Sequence, residues 1–148
     1  MEIKEITLND DNVDELIELS RKWKEENISL GIVEDTIDDL KDKRIFVCEL
    51  DGKIVGEALA HITKAGTKNI GSVIDDDEDV LEIDALYVLK QYRNKGIGKA
   101  LFKYIEEYND VDNIVLSTST KDYQKILHFY IDELGMSFHS AFLYKKNK

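Results

Sequence analysis

The sequence contains no proline and only one cysteine among its 148 residues. The single cysteine, Cys48, excludes an internal disulfide, and its apolar neighbours predict a buried thiol. Without proline the chain lacks the clearest marks of turns, so element boundaries must be read from hydrophobic periodicity. No apolar run approaches the length of a membrane span, and the N-terminal residues lack the apolar core of a signal peptide. These absences predict a cytoplasmic protein with no membrane partner.

Positive charge is also scarce, with 20 Lys and Arg residues against 31 Asp and Glu residues and a net charge of −11. A nucleic-acid backbone would be repelled on average, which argues against nucleic-acid binding. The same charge is compatible with a cationic substrate, or simply with solubility. The three histidines, at positions 61, 128 and 139, lack the spacing of a metal site, so no metal is predicted.

The length and the balance of 43% hydrophobic and 34% charged residues suit one domain spanning residues 1–148. Periodicity predicts strands at 2–8, 44–50, 53–62, 81–88, 113–118 and 136–145, and helices at 13–26, 33–41, 97–108 and 123–134. The Asp51-Gly52 pair predicts a hairpin turn between the second and third strands. Hairpin-connected strands followed by a strand–helix–strand unit imply an α/β (α+β) fold with a mixed sheet and helices on both faces. The acidic loop 75–79 is either a solvated loop or an attractor for an ammonium group.

The segment 81–108 is the most informative part of the sequence. An apolar strand passes through Gly96 and Gly98 into an amphipathic helix. Three cations flank these glycines: Arg93, Lys95 and Lys99. Glycines allow a ligand close to the main chain, and the first turn of a helix presents unpaired N–H groups and the positive end of the helix dipole. The segment therefore predicts a phosphate site.

Two common phosphate motifs do not fit this segment. A P-loop is excluded because Gly98-Lys99 is followed by alanine and no glycine lies five places before Gly98. A dinucleotide fingerprint is excluded because position 101 is leucine where a third glycine is required. The phosphate ligand must therefore belong to another class.

The pattern Arg93-x-x-Gly96-x-Gly98, at the end of a Leu86-Tyr87-Val88 strand, resembles the acetyl-coenzyme A signature of the GNAT N-acetyltransferase superfamily. The order of elements around it extends the resemblance to nearly the whole chain. It implies the GNAT fold, with a mixed central sheet of about six to seven strands. It also implies the use of acetyl-CoA without a metal, and it allows a homodimer.

The activity implied by the resemblance is transfer of an acetyl group from acetyl-CoA to a primary amine. The acceptor is a small cationic amine, such as an aminoglycoside or a polyamine, or a lysine side chain of a peptide. The helix–loop–helix region 13–41 would shape its pocket. The alternative is a non-catalytic acyl-CoA-binding module that keeps the cofactor cleft for sensing or interaction.

By the same resemblance, the coenzyme's diphosphate would lie on the main-chain N–H groups of six loop residues: Asn94, Lys95, Gly96, Ile97, Gly98 and Lys99. The pantetheine arm would run along Leu86 and Val88, and an N–H near Leu86 or Tyr87 would face the thioester oxygen. Arg93 would either contact the cofactor or order the loop. Tyr123 would be an aromatic residue facing the cofactor.

Glu82 and Asp84 are the candidates for the general base. They stand two apart on a strand, so their carboxylates project to the same face within an otherwise apolar run. Burying charge is costly unless it is paired or used, and mutual repulsion would raise one pKa. Either carboxylate suits a base acting on an ammonium, with Glu82 the first choice. The alternatives are a solvated face or lysines and arginines elsewhere that pair with both.

Tyr130 is the candidate acid that protonates the leaving thiolate. The segment Phe129-Tyr130-Ile131-Asp132-Glu133-Leu134-Gly135-Met136 resembles the family's [LF]-Y-x-x-L-G-[FM] segment. Three residues, where the family has two, separate the tyrosine from Leu134, so the helix must take an extra residue or alter its end. Tyr123 lies on the same helical side and is the fallback acid.

Overall fold

The computed structural model describes residues 1–71 and 73–147. Within these residues five strands form one sheet: β1 (Glu2–Ile6), β2 (Arg44–Leu50), β3 (Lys53–Lys64), β4 (Asp79–Val88) and β5 (Ile114–Val115). The helices are α1 (Val13–Glu26), α2 (Ile37–Lys41), α3 (Ile97–Tyr108) and α4 (Tyr123–Leu127), and α4 continues as a π-helix over His128–Glu133. Two 3-10 turns cover Ala65–Lys68 and Lys90–Tyr92.

The sheet is mixed, as the element order predicted. The strands follow chain order, with antiparallel pairs from β1 to β4 and a parallel pair between β4 and β5. The predicted hairpin joins β2 to β3 through Asp51 and Gly52, which have φ angles of 53° and 76°. Two consecutive left-handed residues give the turn whose twist matches the flanking strands.

The helices cover both faces of this sheet. Gly56 of β3 faces α3, since a Cβ there would lie 3.2 Å from Ile97 and 3.4 Å from Leu101. Its neighbour Glu57 points to the opposite face and is paired in register with Tyr87, whose ring stacks on Trp23 of α1. The predicted fold class is therefore confirmed, and Cys48 is buried in β2 as expected.

The strand count is lower than predicted, with five strands among the described residues where about six to seven were expected. The segment predicted as a last strand, 136–145, has no strand structure, and Phe142 within it is 96% exposed. The strand β5 is also shorter than predicted: it pairs with β4 over only two residues, whereas a strand was expected over 113–118. Alternation of apolar residues makes a strand only where an edge of sufficient length is available for pairing.

Several other boundaries differ from the predictions, and β3 and β4 each extend two residues further into the loop between them, to Lys64 and from Asp79. The second helix begins at Ile37, where residue 33 was expected, because Thr36 and Asp39 form a capping box at that point. The first strand ends at Ile6, where residue 8 was expected. By contrast α1 and α3 span the predicted residues, because each carries a long apolar face. Among the described residues, no helix combines the length and the apolar character needed to cross a bilayer.

The π-helix accounts for the unusual spacing around Tyr130. The N–H of Leu134 donates to the carbonyl of Phe129 at 3.1 Å, and the N–H of Met136 donates to the carbonyl of Tyr130 at 3.0 Å. These hydrogen bonds span five and six residues, whereas the backbone hydrogen bond of an α-helix spans four. The wider turn holds the extra residue, and Gly135 closes it with a φ of 75°. The expectation that the helix takes one more residue is thus confirmed.

Candidate functional site

The centre of the candidate site is an irregularity in β4. Leu59 of β3 is paired with Ala85, but the next residue, Ala60, is paired with Ile83. Asp84 is therefore an extra residue opposite no partner on β3, which is a β-bulge. A bulge bends its strand and takes backbone groups out of the ladder, and such features occur often beside active sites.

The other edge of β4 is open beyond the bulge. β5 is paired with β4 only at Leu81 and Glu82, so β4 and β5 diverge after that point. Within the described residues no strand pairs with this edge over 83–88. Backbone N–H and C=O groups on such an edge can bind an extended ligand as an added strand. The positions predicted to contact the cofactor on this strand all lie on this stretch: Leu86 and Val88 for the pantetheine arm, and Leu86 or Tyr87 for the thioester oxygen.

The loop after β4 leads to a helix N-terminus without a side-chain cap. Asn94 and Gly96 have left-handed φ angles of 61° and 83°, and α3 begins at the next residue, Ile97. The first bond of the helix runs from the N–H of Ala100 to the carbonyl of Gly96, at 2.9 Å. The N–H groups before Ala100 have no partner within the helix and carry its positive dipole end. This arrangement fits a diphosphate.

Most of the predicted loop residues are accessible. Asn94, Lys95, Gly96 and Lys99 are exposed, whereas Ile97 is buried under the sheet. Gly98 packs against the π-helix, because a Cβ at Gly98 would lie 3.4 Å from the ring of Phe129. The backbone and the lysines of the loop can therefore meet a ligand, and the side chain of Ile97 serves the core.

Arg93 orders the loop. Its Nε donates to the carbonyl of Val88 at 2.9 Å, and its Nη2 lies 2.5 Å from a carboxylate oxygen of Glu26. The Tyr87 hydroxyl donates to the same oxygen. Burial opposes ionisation of Glu26, but the hydrogen bonds from Arg93 and Tyr87 outweigh it and lower the pKa of this carboxyl. Of the two roles considered for Arg93, the contacts favour loop ordering.

The same group of residues ties α1 to β4. Trp23 stacks on Tyr87 with ring centroids 5.2 Å apart and an interplanar angle of 11°. Burial and the neighbouring Glu26 raise the pKa of Tyr87 above its ordinary range, so its hydroxyl stays a donor. These contacts hold β4, the strand predicted to bind pantetheine, against α1, which borders the predicted acceptor pocket.

The two predicted base residues meet a histidine. His61 of β3 is paired in register with Glu82, and its Nε2 lies 3.9 Å from Oε2 of Glu82. Its Nδ1 lies 2.6 Å from Oδ2 of Asp84. Glu82 and Asp84 thus share a face as predicted, with an imidazole between them. No strong reason to select His61 follows from the sequence, because only the pairing of β3 with β4 brings it close to the two carboxylates.

Each carboxylate also has a lysine partner. Lys43 Nζ lies 2.8 Å from Oδ2 of Asp84, and Lys68 Nζ contacts Oε2 of Glu82. The positive charges offset the mutual repulsion of the two carboxylates. These contacts therefore match the alternative in which lysines elsewhere in the chain pair with both carboxylates. The assignment of the general base stays a prediction.

The same cluster has the spacing of a metal site. His61, Glu82 and Asp84 could each offer one ligand atom, all within 4.8 Å of one another. The ammonium groups of Lys43 and Lys68 touch these carboxylates and would be repelled by a divalent cation. The donor set therefore fits an ammonium group or a shared proton better than it fits a metal.

Tyr130 and Tyr123 differ in their surroundings. Tyr130 is half-buried on the π-helix, edge-on to Phe129 at 5.1 Å, and burial raises its pKa to about 12. Phe129 in turn packs on Gly98, so its ring connects Tyr130 to the first turn of α3. Tyr123 begins α4 and is 62% exposed. The surroundings favour Tyr130 as a neutral proton donor, and its catalytic role stays a prediction.

A buried carboxyl lies one strand away from these groups. Glu57 is 1% exposed, and within the described residues its Oε2 has no hydrogen-bond partner. Burial, with a smaller contribution from Asp35, raises the pKa of Glu57 to about 8. Glu57 is therefore neutral at neutral pH. Sequence reasoning passed over it because it lies in a nearly continuous apolar run.

Comparison with known proteins gives one match to a family. The model of the acetyltransferase (GNAT) family matches residues 10–136 of the chain. None of the curated proteins matches the sequence.

Solved structures are similar over almost their whole length. The aminoglycoside N-acetyltransferase AAC(6')-Iy, in complex with CoA, has a TM-score of 0.67 at 14% identity, covering 99% of each chain. The ribosomal-protein-alanine N-acetyltransferase from Brucella melitensis biovar Abortus 2308 has a TM-score of 0.65 at 16% identity, covering 99% of this chain and 100% of that one. An acetyltransferase from Trypanosoma brucei has a TM-score of 0.64 at 24% identity, covering 98% and 99%. At these identities the likeness establishes a common fold.

Proposed function

The chain belongs to the acetyltransferase (GNAT) family, and from this membership we propose that it transfers an acetyl group from acetyl-CoA to a primary amine. The observation that carries the proposal is the open edge of β4 over 83–88, which ends beside the uncapped N-terminus of α3. The edge of β4 can pair with the amide groups of an extended pantetheine arm, and the N-terminus of α3 can bind a diphosphate. The two sites follow each other in the same order as these groups do along the coenzyme.

The proposed cofactor contacts follow from this order. The N–H groups from Asn94 to Lys99 hold the diphosphate, and Lys95 and Lys99 add positive charge. The backbone at Leu86 and Val88 holds the pantetheine arm. An N–H near Leu86 or Tyr87 stabilises the negative charge that develops on the thioester oxygen. Arg93 keeps the loop in place through Glu26.

The proposed acid and base act on either side of the transfer. Glu82, or Asp84 in its place, takes a proton from the acceptor ammonium, and the neutral amine attacks the thioester directly. Tyr130 donates a proton to the departing thiolate, with Tyr123 as the fallback. His61 connects the two carboxylates and can pass the proton on.

The proposed acceptor is a cationic amine. The two carboxylates of the candidate base cluster already contact two ammonium groups, those of Lys43 and Lys68, so each can hold a cationic amine. Aminoglycosides, polyamines and peptide lysines all offer such a group. A cytoplasmic location and a homodimer remain predictions from the sequence.

A non-catalytic acyl-CoA-binding module is the second candidate. The observation that favours it is the pairing of both carboxylates with the chain's own lysines, since a neutralised carboxylate is a poorer base. In such a module the coenzyme would bind but no amine would be acetylated.

Release of free thiol from acetyl-CoA, measured with a panel of aminoglycosides, polyamines and lysine peptides, tests the proposal. We expect amine-dependent release by the wild-type chain. Gly96→Val should abolish it together with acetyl-CoA binding in calorimetry, because a β-branched residue is strained at a φ of 83°. Binding of acetyl-CoA without release for any amine would leave the non-catalytic module as the function.

A further inference from the structure

The 3-10 turn Ala65–Lys68 brings a lysine onto the proposed base. Lys68 Nζ contacts Oε2 of Glu82, the same oxygen that lies 3.9 Å from Nε2 of His61. The side chain of Lys68 is 31% exposed, whereas the Glu82 oxygen that it contacts is buried, so the lysine reaches from the surface into the cluster. A primary ammonium therefore already occupies the position in which an acceptor amine would lose its proton.

The backbone that carries Lys68 lies outside the sheet. The turn follows the end of β3, and Asn69 after it has a left-handed φ of 59°. The N–H of Ala65 donates to the carbonyl of Glu78 at 2.9 Å, which closes the base of the loop that contains Lys68. Lys43, the other lysine of the cluster, directly precedes β2 and lies between Asp84 and His61. Of the two lysines, Lys68 lies on the turn, four residues beyond the end of β3, whereas Lys43 adjoins β2.

We propose that Lys68 is an acetylation site of the chain's own active site, modified within the same molecule when no external amine is present. This inference rests on the proposed function, because acetyl-CoA supplies the acetyl group. Glu82 removes a proton from the Lys68 ammonium, and the nitrogen lone pair attacks the thioester carbonyl carbon. The C–N bond forms, the C–S bond breaks, and the thiolate leaves with the electron pair and takes a proton from Tyr130. The nitrogen releases its second proton as the C–S bond breaks, and this proton restores the Tyr130 hydroxyl through solvent. The proton held by Glu82 then passes to water.

Modification of Lys68 would change the site itself. An acetylated lysine is neutral and cannot form the ion pair with Glu82. The carboxylate would then be available to an external ammonium. Self-acetylation would therefore convert the paired cluster into one that accepts a substrate.

The chain offers a matched control four residues away. Lys64 Nζ lies 2.8 Å from Oδ1 of Asp79, in an ion pair at the end of the same hairpin, but His61 contacts neither residue of that pair. Lys64 and Lys68 are thus both lysines, four residues apart, and each contacts a carboxylate. They differ in that carboxylate, which is the proposed base only for Lys68, in the neighbouring His61, and in exposure, since Lys64 is 58% exposed and Lys68 is 31% exposed.

The experiment is incubation of the purified chain with acetyl-CoA alone, followed by mass mapping of acetylated lysines over time. We expect Lys68 to be acetylated on the order of a hundredfold faster than Lys64, as a positioned base would give. The rate per molecule should not depend on protein concentration. Lys68→Arg should abolish the fast modification, Lys64→Arg should leave it, and Glu82→Gln should slow it.

Three outcomes would overturn the inference: equal acetylation of Lys64 and Lys68, unchanged acetylation of Lys68 in Gly96→Val, or an unmodified Lys68. Thiol release with external amines, measured on the same wild-type sample, separates this failure from failure of the proposed function. An unmodified Lys68 with amine-dependent release removes only the self-acetylation. Absence of release with every amine removes the proposed transferase as well.

Discussion

Asp84 and His61 lie on neighbouring strands, with Oδ2 of Asp84 2.6 Å from Nδ1 of His61. The other ring nitrogen of His61 lies 3.9 Å from Oε2 of Glu82. The imidazole therefore lies between the two carboxylates that were predicted as alternative bases. It is within hydrogen-bond distance of Asp84 only, and a proton taken up at Glu82 would reach it through a bridging water.

The first prediction concerns this imidazole. His61→Gln should lower kcat on the order of tenfold to a hundredfold, because it removes the group that can carry a proton between Glu82 and Asp84. Acetyl-CoA affinity in calorimetry should stay the same, since the cofactor loop lies elsewhere. His128→Gln, in an exposed pair with Asp132 on the π-helix, is the matched control. Equal turnover in both variants would remove His61 from the mechanism.

The second prediction separates the two tyrosines. Tyr130→Phe should lower kcat with little effect on acetyl-CoA affinity, because it removes the hydroxyl of the proposed acid and keeps the ring beside Phe129. Tyr123→Phe should leave kcat nearly unchanged. A larger loss of kcat in Tyr123→Phe, measured by thiol release under the same conditions, would transfer the acid role to Tyr123.

The third prediction concerns Arg93 and Glu26. Either Arg93→Gln or Glu26→Gln should weaken acetyl-CoA binding roughly tenfold, because each leaves the phosphate loop without its anchor on α1. Binding calorimetry on both single variants and the double variant gives the coupling energy. Residues in one network should show coupling of about 1 kcal/mol or more. Strictly additive losses would mean that Arg93 contacts the cofactor by itself.

The fourth prediction is a pH dependence of stability set by Glu57. Its pKa is about 8 in the folded state against an ordinary value of 4.5, so the folded chain holds this proton more tightly than the unfolded chain does. The free energy of unfolding should therefore fall as the pH rises from 4.5 towards 8, by about 3 kcal/mol at pH 7. Glu57→Gln should lack this fall.

Denaturant titrations at several pH values measure this effect. The difference in unfolding free energy between Glu57→Gln and wild type should grow with pH in favour of the variant. Glu107→Gln, on the exposed side of α3, serves as the control for a general charge effect. A difference that does not change with pH would mean that Glu57 is ionised in the folded chain.

Local pattern predicted much of this molecule. The apolar faces of α1 and α3 and the Asp51-Gly52 turn are encoded within a few residues, so their positions were predicted closely. The segment 136–145 has a strand pattern, but strand formation depends on a partner edge, which sequence does not reveal. The bulge at Asp84 is also a property of pairing, and it could not be read from β4 alone.

The candidate site likewise combines residues that local sequence predicts with residues that only the fold brings together. The loop 93–99 is contiguous, so all of its candidate residues could be predicted from one stretch of sequence. The partners of Glu82 and Asp84 come from three other segments, through Lys43, His61 and Lys68, and only the fold brings them together. Glu57 was missed because a lone carboxyl in an apolar strand gives no periodic signal.

Hydrogen exchange of the backbone amides, with and without coenzyme A, tests the central claim most directly. The claim is that the coenzyme binds along the open edge of β4 and at the N-terminus of α3. We expect added protection of amides within 84–88 and 94–99, and little change in the β1–β2 pair. Tight binding of coenzyme A with no added protection in either of these two segments would contradict the account.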